Sequence, residues 1–309
     1  MSLSVKSAGV WKEAQDVLVK SGGVWQACTD VLIRTGGVWK SVLYTSGSQN
    51  FTADGTFTVP AGVYSITVAV AAGGGGNSSG DGGNPGGTGG VGARVTGSMS
   101  VTPGQSLSVK VGGAGAFGNN TNVGAPGAGG ASSLAAGGTG GWGGPSGSSG
   151  NGGGGGGTSS VYNASVALVI SGGGGGAGGA GQHNYNANKT GGAASSLTTS
   201  LGSISAGGTG GNCAAGYTYG GSPNVCYTGG RPGDGGAGGG GGGGASGGVG
   251  GYFDNCVTYD TGEGTYAYYW EASGQGGTGG VSYVNTGSVS GYAMASNPAA
   301  TAGYISFTW

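Results

Sequence analysis

The sequence predicts a mostly β protein. N-terminal β-hairpin pseudo-repeats occupy residues 1–48, and an antiparallel β-sandwich carrying an inserted bundle of polyglycine II helices occupies residues 49–309. Three observations predict this. A 14-residue unit repeats near the N-terminus, with tryptophans at Trp11, Trp25 and Trp39. Segments of alternating apolar and polar residues stand before, within and after a long glycine field. That field runs from Gly73 to Gly280 and holds most of the 88 glycines, in runs such as Gly152 to Gly157, Gly172 to Gly176 and Gly238 to Gly244.

The N-terminal units read VKSAGVWKEAQDVL, VKSGGVWQACTDVL and IRTGGVWK. Each is a strand, a tight turn and a second strand, with turns at Ala8-Gly9, Gly22-Gly23 and Gly36-Gly37; paired glycines are strong hairpin signals. Together they predict a small β-meander of three pseudo-repeats. The meander carries five of the nine basic residues, Lys6, Lys12, Lys20, Arg34 and Lys40.

Next, FTADGTFTVPAGVYSITVAV predicts two strands turning at Pro60-Ala61-Gly62, with Ile66, Val68 and Val70 on one face. ARVTGSMSVTPGQSLSVKV predicts two more, turning at Thr102-Pro103-Gly104. Shorter strands are expected within Val161 to Ile170, Val281 to Asn285 and Tyr304 to Trp309. A sandwich with glycine-rich insertions accommodates this order.

The glycine runs have two readings. One is a flexible linker. The other is an ordered bundle of three-residue-per-turn helices that bond to one another, since only glycine lets backbones approach that closely. Charged residues make up only 6% of the chain and aromatics 8%, which is not the composition of a disordered segment and favours the bundle. Collagen is excluded by the lack of a strict Gly-X-Y period.

A net charge of −1 gives no electrostatic case for nucleic acid or an anionic membrane surface. The N-terminus lacks an apolar signal core, so synthesis in a cytoplasm without a signal peptide is expected. Val68 to Ala72 and Val166 to Ile170 are too short to span a bilayer, and no membrane insertion is expected. The four cysteines, Cys28, Cys213, Cys226 and Cys256, match no zinc spacing. Cys213 and Cys226 flank one loop and stand as either a disulfide or free thiols.

Candidate chemistry is sparse. GxGxxG strings carry no information in so glycine-rich a chain, and no phosphate-loop motif is present. The lone His183 has no nucleophile or orienting acid assignable to it, so no catalytic residue is expected. Asp254, Asp260, Glu263 and Glu271 cluster in one irregular stretch. They read as a solvated acidic face, with a glycosidase pair or a calcium site as rivals; neither a metal nor a cofactor is expected.

The aromatics are the stronger signal. Ten of the 15 tyrosines lie between Tyr217 and Tyr292. Tyr217, Tyr219 and Tyr227 share one loop. Tyr252, Phe253, Tyr259, Tyr266, Tyr268, Tyr269 and Trp270 share another, and His183 and Tyr185 a third. Tyrosine with Ser, Gly and Asn is the mixture of binding loops. Two readings stand together, a binding surface and a roof over the bundle.

FTVPAGVYSITVAVAAGGGG, VTPGQSLSVKVGGAG, the glycine runs and the closing GYISFTW together resemble the glycine-rich domain of many phage tail-fibre proteins, over Phe51 to Trp309. Similar sheets of packed glycine helices occur in the distal adhesins of T-even-type long tail fibres, where loops between glycine runs touch the host receptor. The extracellular glycine-rich domain of a vertebrate receptor tyrosine kinase family has a related layout, but this chain lacks its signal peptide and cysteine content.

The resemblance implies a tail-fibre tip adhesin, located on the virion, with no enzymatic activity. Its expected partners are a trimeric tail-fibre protein, held through Trp11, Trp25 and Trp39, and a bacterial cell-surface receptor, either an outer-membrane protein or lipopolysaccharide. The three indoles read alternatively as the core of a small domain. A glycan depolymerase and an ice-binding protein are the rival functions. The first needs a buried carboxylate pair in a groove, the second a flat face with regular threonine rows.

Overall fold

The structure is a computed structural model. It describes residues 4–7, 10–13, 18–27, 31–35, 37–41, 46–81, 84–120, 124–143, 150–181, 189–210, 240–251, 274–298 and 301–309. All regular structure among these residues is β.

Three hairpins come first: β1 (Ser4–Ser7) with β2 (Val10–Glu13), β3 (Leu18–Ser21) with β4 (Val24–Ala27), and β5 (Leu32–Thr35) with β6 (Val38–Ser41). Gly22 and Gly23 take φ of +59° and +84°. Two successive left-handed residues make the tight turn whose twist matches the flanking strands. Among the described residues the meander expected from the sequence is not formed. Each hairpin is a separate two-stranded sheet, because its strands pair only within the repeat. In every repeat a basic residue lies directly across from the tryptophan: Lys6 from Trp11, Lys20 from Trp25, Arg34 from Trp39.

The sandwich has two sheets. The first joins β7 (Ser48–Phe51), β9 (Ser65–Ala71), β10 (Gly92–Ser100), β16 (Val289–Asn297) and β17 (Tyr304–Thr308) in the order β16-β10-β9-β17-β7. The second joins β8 (Gly55–Thr58), β11 (Ser106–Lys110), β12 (Ser159–Asn163), β13 (Val166–Ser171), β14 (Leu197–Thr198) and β15 (Ser282–Val284) in the order β14-β15-β13-β12-β11-β8. Pairing is antiparallel except between β14 and β15, which are parallel.

The two expected turns are corners between sheets. At Pro60 to Val63 the chain leaves β8 for β9, and at Thr102 to Gln105 it leaves β10 for β11. Gly62 and Gly104, at φ +78° and +79°, supply the left-handed residue each corner requires. The corners are tied together: Val59 N–H donates to the Gln105 carbonyl, Gly104 N–H to Val59, and Val101 N–H to Tyr64.

The core lies between the sheets. Ile66, Val68 and Val70 all face inward, as their alternation predicts, against Val95, Leu107, Val109, Val169 and Ile305. Phe57 stacks on Phe307 with centroids 4.2 Å apart, and Trp309 closes the group from 5.6 Å. Each such fully buried side chain stabilises the fold by about 1.5–3 kcal/mol.

The glycine segments form a hydrogen-bonded bundle on one end of the sandwich. Segment 150–158 lies in its interior, and its N–H groups point to three neighbours in rotation. Gly152, Gly155 and Thr158 donate to Gly141, Gly138 and Ala135. Gly153 and Gly156 donate to Ala177 and Gly174, and Gly154 and Gly157 to Ala116 and Gly113. Its carbonyls accept from three further segments, through Gly73 and Gly76, Gly127 and Gly130, and Gly240 and Gly243. Each direction recurs every third residue, so six segments surround this one and its backbone groups are paired. Segment 172–181 repeats the pattern: Gly173 and Gly176 donate to Gly243 and Gly240, Gly174 and Ala177 to Gly73 and Gly76, Gly175 and Gly178 to Gly192 and Lys189.

Glycine loses about 0.5–1 kcal/mol per residue relative to alanine in ordered backbone. Leaving a buried backbone group unpaired costs about 1–3 kcal/mol, so the complete pairing offsets the loss.

Where sheet becomes bundle, short polar side chains replace missing backbone partners. Ser159 Oγ accepts from Gly112 N–H, Ser282 Oγ accepts from Gly172 N–H, Ser171 Oγ donates to the Ala93 carbonyl, and Asn297 Nδ2 donates to the Ala72 carbonyl. Asp54 fastens the same junction from outside. It accepts from Val111 N–H at 2.8 Å and Ser133 Oγ at 2.6 Å, and faces Lys110 Nζ at 3.4 Å.

Candidate functional site

The molecule has a direction. Gly47 and Trp309 exchange backbone hydrogen bonds at 3.0 Å in both senses, at the end of the sandwich where Thr308 pairs with Ser48. The strand ends at Ala71, Gly92, Lys110, Ser159, Ser171 and Ser282 open into the bundle from the opposite end. A chain arriving from the hairpins therefore enters the sandwich at the end away from the bundle.

The three loops that the sequence marks for binding span 182–189, 212–232 and 252–273. Apart from Lys189 they lie outside the described residues, and so do His183, Tyr185, Tyr217, Tyr219, Tyr227, Tyr252, Phe253, Tyr259, Tyr266, Tyr268, Tyr269 and Trp270. The same holds for Cys213, Cys226 and the acidic residues Asp254, Asp260, Glu263 and Glu271. The described residues beside these loops, Lys189, Gly210, Gly251 and Gly274, gather at the far end of the bundle; residues 211 and 233–239 lie outside the described residues. Gly178 N–H donates to the Lys189 carbonyl, and Gly274 N–H to Gly179. Gly251 packs on Gln275, and Gly250 on Thr209 and Gly210.

Lys189 is buried here, 7% exposed, with Nζ donating to the Pro85 carbonyl at 2.6 Å. Burial pulls its pKa below the ordinary lysine value.

The sequence reading missed two aromatics at this end. Phe117 and Trp142 are each 51% exposed. The available signal was a single aromatic set among glycines, in GAFGNN and GGWGG, with no neighbour to suggest a cluster. Both are held on fixed backbone. Gly118 donates to the Asn77 carbonyl and accepts from Ser79 N–H. Gly141 accepts from Gly152 N–H, and Gly143 N–H donates to Asn151 Oδ1. Asn151 is fully buried, and its Nδ2 donates to the Gly124 carbonyl.

At the other end of the chain, Trp25 and Trp39 are 63% and 60% exposed. They do not form the core of a small domain. Each lies under its cross-strand cation instead, Lys20 Nζ at 5.8 Å and the Arg34 guanidinium at 6.0 Å from the ring centre. Such exposed pairs contribute about 0.5–1 kcal/mol each. Trp11 occupies the same register position, but its side chain is outside the described residues.

Threonines stand exposed on outer segments at Thr88, Thr139, Thr190, Thr209 and Thr278. They do not repeat along a segment: three residues away the same outward slot holds Pro85, Trp142, Ala193, Ala206 and Gln275.

A family model described as a glycine-rich domain matches residues 49–255. Among curated proteins, no sequence matches the chain.

Proposed function

The chain belongs to the glycine-rich domain family, and from that premise we propose that it is a phage tail-fibre tip adhesin binding a bacterial surface receptor, an outer-membrane protein or lipopolysaccharide. On this reading it sits on the virion and catalyses no reaction. The hairpins attach it to a trimeric fibre protein. The sandwich and bundle form the rigid support, with the glycine segments as polyglycine II helices, and the loops between them touch the receptor.

The observation that carries the reading is the polarity. The hairpins join at the Gly47–Trp309 end, and the described flanking residues of the three candidate loops, Lys189, Gly210, Gly251 and Gly274, lie at the opposite end. A fibre tip needs this separation of attachment from recognition. The three-residue recurrence of hydrogen-bond direction supports the polyglycine II assignment, because that helix has three residues per turn and no internal bonds. An ice-binding role would use a two-dimensional array of threonines, whereas the exposed threonines here do not repeat along their segments.

Binding of the purified full-length protein to a panel of bacterial cells is the test. Loop variants should lose or redirect binding while retaining the fold. No binding to any cell that supports infection by the parent particle would sink the reading.

A further inference from the structure

Phe117 and Trp142 stand on either side of one glycine-alanine segment. Segment 125–131 bonds to both of their segments: Ala116 N–H donates to the Ala128 carbonyl at 2.8 Å, and Gly140 N–H to the Gly127 carbonyl at 2.9 Å. The two half-exposed rings thus flank a strip whose side chains, at Ala125, Pro126 and Ala128, are small. Asn119 is exposed beside this strip, its Cβ 2.8 Å from where a Cβ on Gly124 would lie. The charged residues described at this end of the bundle are Asp81 and Lys189, and both are buried.

Resting on the adhesin reading, we propose that this strip binds a sugar unit of a neutral bacterial surface polysaccharide. A pyranose offers flat patches of C–H groups that pack on aromatic faces, and hydroxyls that pair with amides and backbone groups. The strip offers two rings, an amide and closely approachable backbone, with no exposed formal charge among the residues described at this end of the bundle. The rings sit on backbone held by hydrogen bonds on both sides, so ordering them on binding costs little.

The test measures binding of the full-length protein to a panel of lipid-free O-polysaccharides, and to whole cells of the same strains before and after periodate oxidation or protease treatment. The expected result is binding to at least one neutral polysaccharide and periodate-sensitive binding to its cells. Phe117→Ala and Trp142→Ala should each weaken it about tenfold or more, as loss of an aromatic anchor does, with unchanged melting temperature, and Trp142→Tyr should retain most of it. Cell binding that survives periodate but not protease would overturn the sugar assignment and leave the adhesin reading standing. Polysaccharide binding indifferent to Phe117→Ala and Trp142→Ala would overturn the site. Absence of binding to every cell would overturn both readings.

Discussion

Gly154 faces the carbonyl oxygen of Ala128 so closely that a Cβ built on it would lie 2.0 Å from that oxygen. Gly174 stands likewise against Gly90, at 2.1 Å. No side-chain rotation relieves such a clash, because the obstacle is backbone. Gly154→Val and Gly174→Val should therefore fail to fold, and even the alanine variants should be severely destabilised. Gly202 has nothing within 4 Å and no positive φ, so Gly202→Ala should change stability by less than about 0.5 kcal/mol. Yield and thermal melting of the set decide it. Equal stability of Gly154→Val and wild type would rule out the packed bundle.

Much of this was legible in the sequence, and the reasons differ by element. The sandwich strands were readable because Ile66, Val68 and Val70 alternate with period two, and the hairpins because Gly22-Gly23 can fill both left-handed turn positions. The long edge strand Val289–Asn297 was not foreseen. Most of its residues are exposed, so it shows no apolar alternation; Ser290, Gly291, Tyr292 and Ala293 all face solvent. A meander does not follow from the repeats, since repetition specifies identical units and says nothing of pairing between them. For the site, the density of tyrosines marked the loops, while Phe117 and Trp142 became visible only once the bundle placed them on the same end.

Lys189 and Asp54 predict opposite pH dependences. Burial lowers the Lys189 pKa from 10.5. In the window between its folded value and the unfolded one, the unfolded chain holds more protons, so stability rises with pH. Lys189→Met should lose a hydrogen bond to Pro85 and also abolish that alkaline gain. For Asp54, burial pushes the pKa up, but Ser133, the Val111 N–H and Lys110 together outweigh it and hold it below 3.8. Its contribution is complete above the unfolded value and is lost as pH falls through the folded one. Because Asp54 is largely solvated, Asp54→Asn should cost no more than about 1 kcal/mol at neutral pH. Denaturant midpoints from pH 2 to 10.5 check both; an unchanged alkaline slope in Lys189→Met would refute the first.

Loops 182–189, 212–232 and 252–273 should carry host choice. Exchanging them for the corresponding loops of a related adhesin should redirect cell binding without lowering the melting temperature, because their flanks are fixed by the bundle and not by the loops. Changes within residues 5–40 should leave host choice unaltered. The reverse outcome, with loops inert and hairpins decisive, would invert the proposed polarity.

The hairpins make the last prediction. An isolated two-stranded hairpin is marginally stable in water, yet here the second hairpin exposes Leu18, Val19, Val24 and Trp25, and the third exposes Trp39. Repeats that pair only internally are independent copies of one patch. On the proposed adhesin reading, three copies in one chain would match the three equivalent surfaces of a trimeric fibre, so that a single chain would cap a three-fold tip without mismatch. Tryptophan is enriched where interfaces fill desolvated pockets, and Trp25 and Trp39 are presented in the same register beside a cation. A self-trimerising chain would use the repeats differently, since closed symmetry is the common habit of oligomers. Solution mass separates the two. Capping requires a monomer when the chain is made alone and one copy per trimeric tip when it is made with its fibre. Trp25→Ala should leave the melting temperature of the sandwich unchanged and weaken fibre capture, and the double variant with Trp39→Ala should weaken it further. A stable homotrimer in isolation, or full capture by the double variant, would end the capping model.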